Sequence, residues 1–98
     1  METIKIKSGR VTQLISESSG NPVANQFMIY GEGFSVFQSY QSAIVLWKDG
    51  KTYLDYSKWD YSTTTGKYRN QVLGEKKPET ERKIKSGKYI LANLNPKD

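Results

Sequence analysis

The sequence predicts an α+β fold, a small antiparallel β-sheet of five to seven short strands with one or two short helices on one face. Three observations lead there. Short apolar or alternating runs bounded by Gly, Asn and Asp recur through the first half of the 98 residues. One such run, Ala43 to Trp47, is tied to Thr52 to Tyr56 by Lys48-Asp49-Gly50-Lys51, and Asp-Gly favours the type I′ turn whose twist matches paired strands. Beyond residue 58 the pattern changes to helical spacing, with Gly74 and Gly87 placed as left-handed stops.

The elements follow in order. Thr3 to Lys7 alternates Ile4 and Ile6 with Lys5 and Lys7, a half-buried strand pattern, and Ser8-Gly9 turns it into a second strand, Arg10 to Ile15. Residues 16–26, rich in Ser, Gly and Asn and containing Pro22, read as a loop. Phe27 to Tyr30 and Phe34 to Phe37 are short strands separated by Gly31-Glu32-Gly33. In the Asp-Gly hairpin a two-residue loop sets Lys48 opposite Lys51 and Leu46 opposite Tyr53. Residues 58–74 place Tyr61, Thr65, Tyr68 and Val72 at helical spacing, with Ser62 or Thr63 as N-cap. Residues 78–86 form a better short helix: proline opens it, acids lie early, bases late, and Glu79 reaches Lys83. Lys88 to Leu94 is the last strand, and residues 95–98 are a tail. One domain spans residues 1–98.

The pentapeptide KIKSG occurs twice, at 5–9 and 83–87. In this reading the first copy ends a strand and the second ends a helix. Both use the glycine as a stop, so they are not a structural repeat.

Composition narrows the chemistry. There is no cysteine and no histidine, so disulfides, thiolate metal sites and the usual general acid–base are missing. The expectation is a non-enzyme without metal or cofactor. No run approaches a membrane span and the N-terminus lacks a signal-peptide pattern, so a soluble cytoplasmic protein is expected.

The formal net charge of +5 is unevenly spread. Residues 1–65 balance six bases (Lys5, Lys7, Arg10, Lys48, Lys51, Lys58) against six acids (Glu2, Glu17, Glu32, Asp49, Asp55, Asp60). Residues 66–88 hold eight bases and three acids, Glu75, Glu79 and Glu81. Such a segment attracts polyanions. The candidate contacts are Lys67, Arg69, Lys76, Lys77, Arg82, Lys83, Lys85 and Lys88, with Tyr68 as a ring for a base to stack on. An alternative surface is the aromatic cluster Tyr53, Tyr56, Trp59 and Tyr61. Strand alternation keeps these rings out of a single core, so at least one is exposed to meet a partner.

Other motifs are weaker. Gly31-Glu32-Gly33-Phe34-Ser35-Val36 begins like a nucleotide-binding loop, but Val36 stands where the third glycine belongs. Asp55 and Asp60 invite an acid–base pair, although capping explains both carboxylates.

Ser39-Tyr40, Gly50-Lys51-Thr52-Tyr53-Leu54, Trp59-Asp60-Tyr61-Ser62, Thr64-Thr65, Lys67-Tyr68, Leu73-Gly74 and Glu79-Thr80 together resemble a family of small, functionally uncharacterised proteins of bacteriophages and prophages of Gram-positive bacteria. The resemblance covers about residues 34–90 and brings no catalytic residues. It implies a phage accessory protein in the host cytoplasm that acts by binding. Three functions follow as expectations. The first is a non-catalytic protein whose basic 66–88 segment engages nucleic acid or a host nucleic-acid-processing machine. The second is an anti-CRISPR-like inhibitor of a host defence system using the cluster at 53–61, and the third a small enzyme without His or Cys. An uncovered sheet edge would also permit a homodimer.

Overall fold

The computed structural model describes residues 1–97. One sheet holds six strands in chain order: β1 (Arg10–Ile15), β2 (Pro22–Gly31), β3 (Phe34–Ser39), β4 (Ser42–Lys48), β5 (Lys51–Asp55) and β6 (Tyr89–Ala92). Neighbours from β1 to β5 are antiparallel. Between β5 and β6 the chain forms α1 (Thr63–Leu73) and α2 (Lys77–Ser86), and this crossover makes the last pair parallel. The expected α+β architecture is therefore present, with one parallel pair that hairpin logic did not foresee.

The Asp-Gly turn behaves as its chemistry requires. Asp49 and Gly50 have φ of 54° and 72°, the positive values of a type I′ turn. Lys48 faces Lys51 and Leu46 faces Tyr53.

Alternation sends side chains into two layers. Phe37, Val45 and Leu54 pack with Leu14 and with Tyr68 and Tyr89 beneath the helices, whereas Val36, Leu46 and Tyr53 pack on the other face with Ile4, Ala92 and Leu94. A bulge at Ile44 shifts the β3–β4 register, so Phe37 pairs with Val45 and Gln38 with Ala43. Ile44 and Val45 thereby both join the helix-side core.

Four expectations need correction. Thr3 to Lys7 does not form a hairpin with β1. Thr3 bridges Asn93 in parallel, and the Ile4 N–H donates to the Asn93 carbonyl at 2.9 Å. From there Ile4 and Ile6 cover the helix-free face of the sheet, and Gly9 abuts Tyr30 before β1 begins. The first KIKSG is thus a strap across the sheet, chosen by two isoleucines that pack on that face and not by turn chemistry.

The expected 16–26 loop is too long, because β2 starts at Pro22. Asn25 at φ 65° kinks the strand, its carbonyl accepts the Tyr40 N–H at 2.7 Å, and Gln26 is fully buried. Pairing has overridden polar composition here. In the 58–74 segment the expected Ser62 cap and Gly74 stop are both present, the Ser62 hydroxyl accepting from the Thr65 N–H and Gly74 closing the helix at φ 68°, but the helix starting at Thr63 leaves Tyr61, expected at helical spacing, outside it. Asn95 is no loose tail either, since its side chain both accepts from and donates to the Ala43 backbone. The tail's last residue, Asp98, lies outside the described residues. Gly87 caps α2 at φ 83°, as expected of the second KIKSG.

Candidate functional site

The basic segment occupies the outer helical layer, and its cations divide into a structural set and a free set. Arg69 belongs to the first. Its side chain is 1% exposed. One guanidinium nitrogen donates to the Trp59 carbonyl at 2.7 Å and to Asp60 at 2.9 Å; the other donates to Asn70 at 2.9 Å, and the Trp59 ring stacks beneath. Arg69 therefore anchors the 59–62 turn to α1 and is withdrawn from the surface where the charge count placed it. Tyr68, expected as a stacking surface, is 9% exposed and fills the helix-side core. Both expectations fail for one reason: successive helix positions 68 and 69 point toward the sheet and toward the preceding turn, while Lys67 points out.

Lys77 completes the Asp60 site at 2.5 Å. Burial pushes the Asp60 carboxyl up, but hydrogen bonds and charge from Lys77 and Arg69 outweigh it and hold the group below its ordinary value. The Asp60 hydrogen bond in turn raises Lys77.

A second network joins the α1–α2 turn to β6. Glu75, with a side chain 1% exposed, accepts from Lys83 at 2.5 Å, Thr80 at 2.6 Å and Tyr89 at 2.9 Å. Burial again pushes the carboxyl up, and the three donors more than offset it, so Glu75 is held below the usual carboxylate range. Burial, followed by the bond to Glu75, raises Tyr89, and the same carboxylate raises Lys83. Sequence spacing gave no cue to this network, because Glu75 and Lys83 lie on either side of a turn and a helix start.

The free set is smaller than the charge count implied. Lys67, Lys76, Lys85 and Lys88 are exposed and make no ion pair among the described residues, and Arg82 touches Glu79 only at 4.0 Å. On α2, Arg82 and Lys85 share the outward stripe opposite buried Thr80, with Lys76 at one end and Lys88 just past the other. That row runs about 15 Å along the helix.

Between the turn and the two helices opens a cleft of about 680 Å³, lined by Asp60, Tyr61, Ser62, Lys67, Arg69 and Lys77 among others. Tyr61 is 42% exposed there, and the Lys58 ammonium lies 5.0 Å from its ring centre. The cleft brings together what the sequence reading had kept apart, a ring of the aromatic cluster and cations of the basic segment. Within the cluster Tyr53 is buried, Trp59 is half-buried against Arg69, and Tyr56 is 47% exposed. At least one exposed ring was expected, and there are two.

The carboxylates considered for acid–base work are structural. Asp55, 1% exposed, accepts from the backbone N–H groups of Ser57, Lys58 and Leu94 and from the Ser57 hydroxyl. Gly31 and Gly33 flank the β2–β3 turn, with Gly33 at φ 80°. No helix among the described residues is long and apolar enough to cross a membrane.

Fold and surface together define a small α+β protein whose two-helix layer exposes Lys67, Lys76, Arg82, Lys85 and Lys88, while Lys5, Lys7, Arg10, Lys48 and Lys51 are exposed elsewhere. The chain belongs to the family of unknown function DUF8033, whose model matches residues 10–88. That span excludes the N-terminal strap and β6. No curated protein and no solved structure matches the chain.

Proposed function

We propose that this protein is a non-catalytic nucleic-acid-binding protein that engages single strands on its helical layer. The observation that carries the reading is the cleft beside α1, where the exposed Tyr61 ring and Lys67, which makes no ion pair among the described residues, line one surface and the Lys58 ammonium lies over the Tyr61 ring. A base stacks on such a ring while the adjoining cations meet phosphates, and Lys76, Lys85 and Lys88 continue the cationic path along α2. Relative to the nine residues nominated from sequence, Tyr61 replaces Tyr68, Lys58 is added, and Arg82 and the ion-paired Arg69, Lys77 and Lys83 are left out. The resemblance to small phage and prophage proteins supports a role in an infected bacterial cell, with host nucleic acid, or a machine that carries it, as the target.

The test is a salt titration of fluorescent single-stranded DNA and RNA oligonucleotides. Tyr61→Ala is expected to weaken binding about tenfold, since stacking contributes about 1–3 kcal/mol per base. Replacing Lys67 and Lys85 together by glutamate is expected to lower the salt slope by about 1.4, roughly 0.7 for each single-strand phosphate no longer neutralised. Absence of binding at low salt refutes the proposal.

A second reading rests on a separate observation, the exposure of both Tyr56 and Tyr61. Exposed tyrosines suit capture of a host defence protein. Under that reading Tyr56→Ala abolishes partner capture, whereas the lysine reversals leave it intact.

A further inference from the structure

The two edges of the sheet are treated differently. Past the end of β6 the edge is taken by the chain's own N-terminus: the Asn93 N–H donates to the Glu2 carbonyl at 2.8 Å, and the Ile4 N–H donates back to Asn93. β1, at the opposite edge, has no strand partner but β2; at its C-terminal end the Gln71 side-chain amide of α1 donates to the Ile15 carbonyl at 2.8 Å and accepts from the Glu17 N–H at 3.1 Å. Five of its six residues are exposed.

Edge strands that avoid pairing carry lysine, proline, inward charges or a bulge of their own. β1, Arg10-Val11-Thr12-Gln13-Leu14-Ile15, has one charge, at its first residue, and no proline. The irregularity of the β1–β2 ladder leaves β1 continuous, because the extra residues lie in β2: Gln13 pairs with Phe27 and Ile15 with Pro22. Val11 and Ile15 are 59% and 50% exposed, the most exposed branched aliphatic side chains among the described residues.

The geometry points to β1 as a dimerisation edge that pairs antiparallel with β1 of a second copy about a two-fold axis perpendicular to the sheet. Such an axis preserves the faces of the sheet, so residues directly opposite must both be odd or both be even in number. Centring the axis on Gln13 sets Val11 opposite Ile15 of the other copy, and the same pair repeats by symmetry. Each exposed aliphatic side chain then gains an apolar cross-strand neighbour. Centring it on Thr12 sets Val11 against Gln13 and Arg10 against Leu14, which matches nothing. In the Gln13 register the only charges near the seam are Arg10 and Glu17, and each copy's Arg10 lies next to the segment carrying the other's Glu17. The seam is thus free of like-charge opposition although each chain carries +5. The dimer has one continuous twelve-stranded sheet, twice the six strands of one copy, with all four helices on the same side.

Sedimentation equilibrium of the full chain over a wide concentration range, with two kinds of variant, tests this. The unmodified protein is expected to dimerise. Val11→Lys is expected to weaken the dimer about tenfold or more, since symmetry introduces the change twice, while the exposed site keeps circular dichroism and, at concentrations where both proteins are monomeric, the thermal midpoint unchanged. The chain has no cysteine, so disulfide trapping reports the register directly. Gln13→Cys sets two Cα atoms about 4.5–5.5 Å apart, within disulfide reach, and is expected to give an oxidised dimer much faster than Thr12→Cys. A monomer at every concentration, a dimer indifferent to Val11→Lys, or faster trapping at position 12 than at 13 overturns the inference.

Discussion

Glu75→Ala tests whether the helical layer is held by its buried polar network. The substitution removes the acceptor shared by Thr80, Lys83 and Tyr89. Thr80 is fully buried and Tyr89 is 7% exposed, so neither hydroxyl can reach water without moving. Each buried donor left unpaired costs about 1–3 kcal/mol. Lys83 keeps part of its side chain in solvent and rehydrates, so it is left out of the sum. The two hydroxyls together give a destabilisation of about 3 kcal/mol. For a chain of this size that lowers the thermal midpoint by about 12–24 °C. Glu75→Gln keeps the volume and one acceptor, and is expected to cost about 1 kcal/mol.

The pH dependence has a definite sign. Glu75 is held below its ordinary value in the folded state. Its contribution is therefore fully present above the ordinary carboxylate range and is lost as pH falls through the lowered folded value. Glu75→Gln is expected to match the wild type most closely in acid, to differ most near neutrality, and to flatten the acid limb. Urea unfolding followed by circular dichroism at several pH values measures all three effects. A Glu75→Ala protein within about 0.5 kcal/mol of wild type, or an acid limb unchanged by Glu75→Gln, refutes the reasoning.

Two further outcomes follow from the same structure. Arg69→Lys is expected to cost about 2–3 kcal/mol in urea unfolding, because one ammonium cannot span the Trp59 carbonyl, Asp60 and Asn70 together. A wild-type-like urea midpoint would show that the guanidinium does not anchor the turn. Gly9→Ala would bring its Cβ to 2.6 Å from the Tyr30 carbonyl oxygen and 2.9 Å from its carbon, and is expected to cost about 1–3 kcal/mol in thermal unfolding. Faster hydrogen exchange at the Ile4 amide should accompany it, and an unchanged exchange rate would mean that the strap is not held against β2.

Much of the local structure was legible because it depends on neighbours in the chain. Asp49-Gly50 specifies its turn through two positive φ values, and strand period then carries the register outward to Leu46 and Tyr53. Ser62, Gly74 and Gly87 cap helices for equally local reasons. The first KIKSG shows the limit of such reading. Its alternation suits any half-buried extended segment, and only the presence of an apolar face needing cover sent Ile4 and Ile6 across the sheet.

The candidate site was legible as a charge count and illegible as a surface. The concentration of cations in residues 66–88 is a property of composition, but which cations meet solvent depends on partners brought in by folding. Asp60 takes Arg69 and Lys77, and Glu75 takes Lys83. Tyr61 is exposed because the helix starts at Thr63 and leaves it on the turn outside, whereas Tyr68 lies on the α1 face turned to the sheet core.

By itself, then, the sequence determined the α+β class, the hairpin and its register, the helix stops and the location of the charge surplus, all of which rest on interactions a few residues long. Only tertiary structure decided the parallel β5–β6 pair, the path of the N-terminal strap and the pairing of acids with bases. Those depend on groups distant in sequence being desolvated together, and the competition among buried partners has no counterpart in a local pattern.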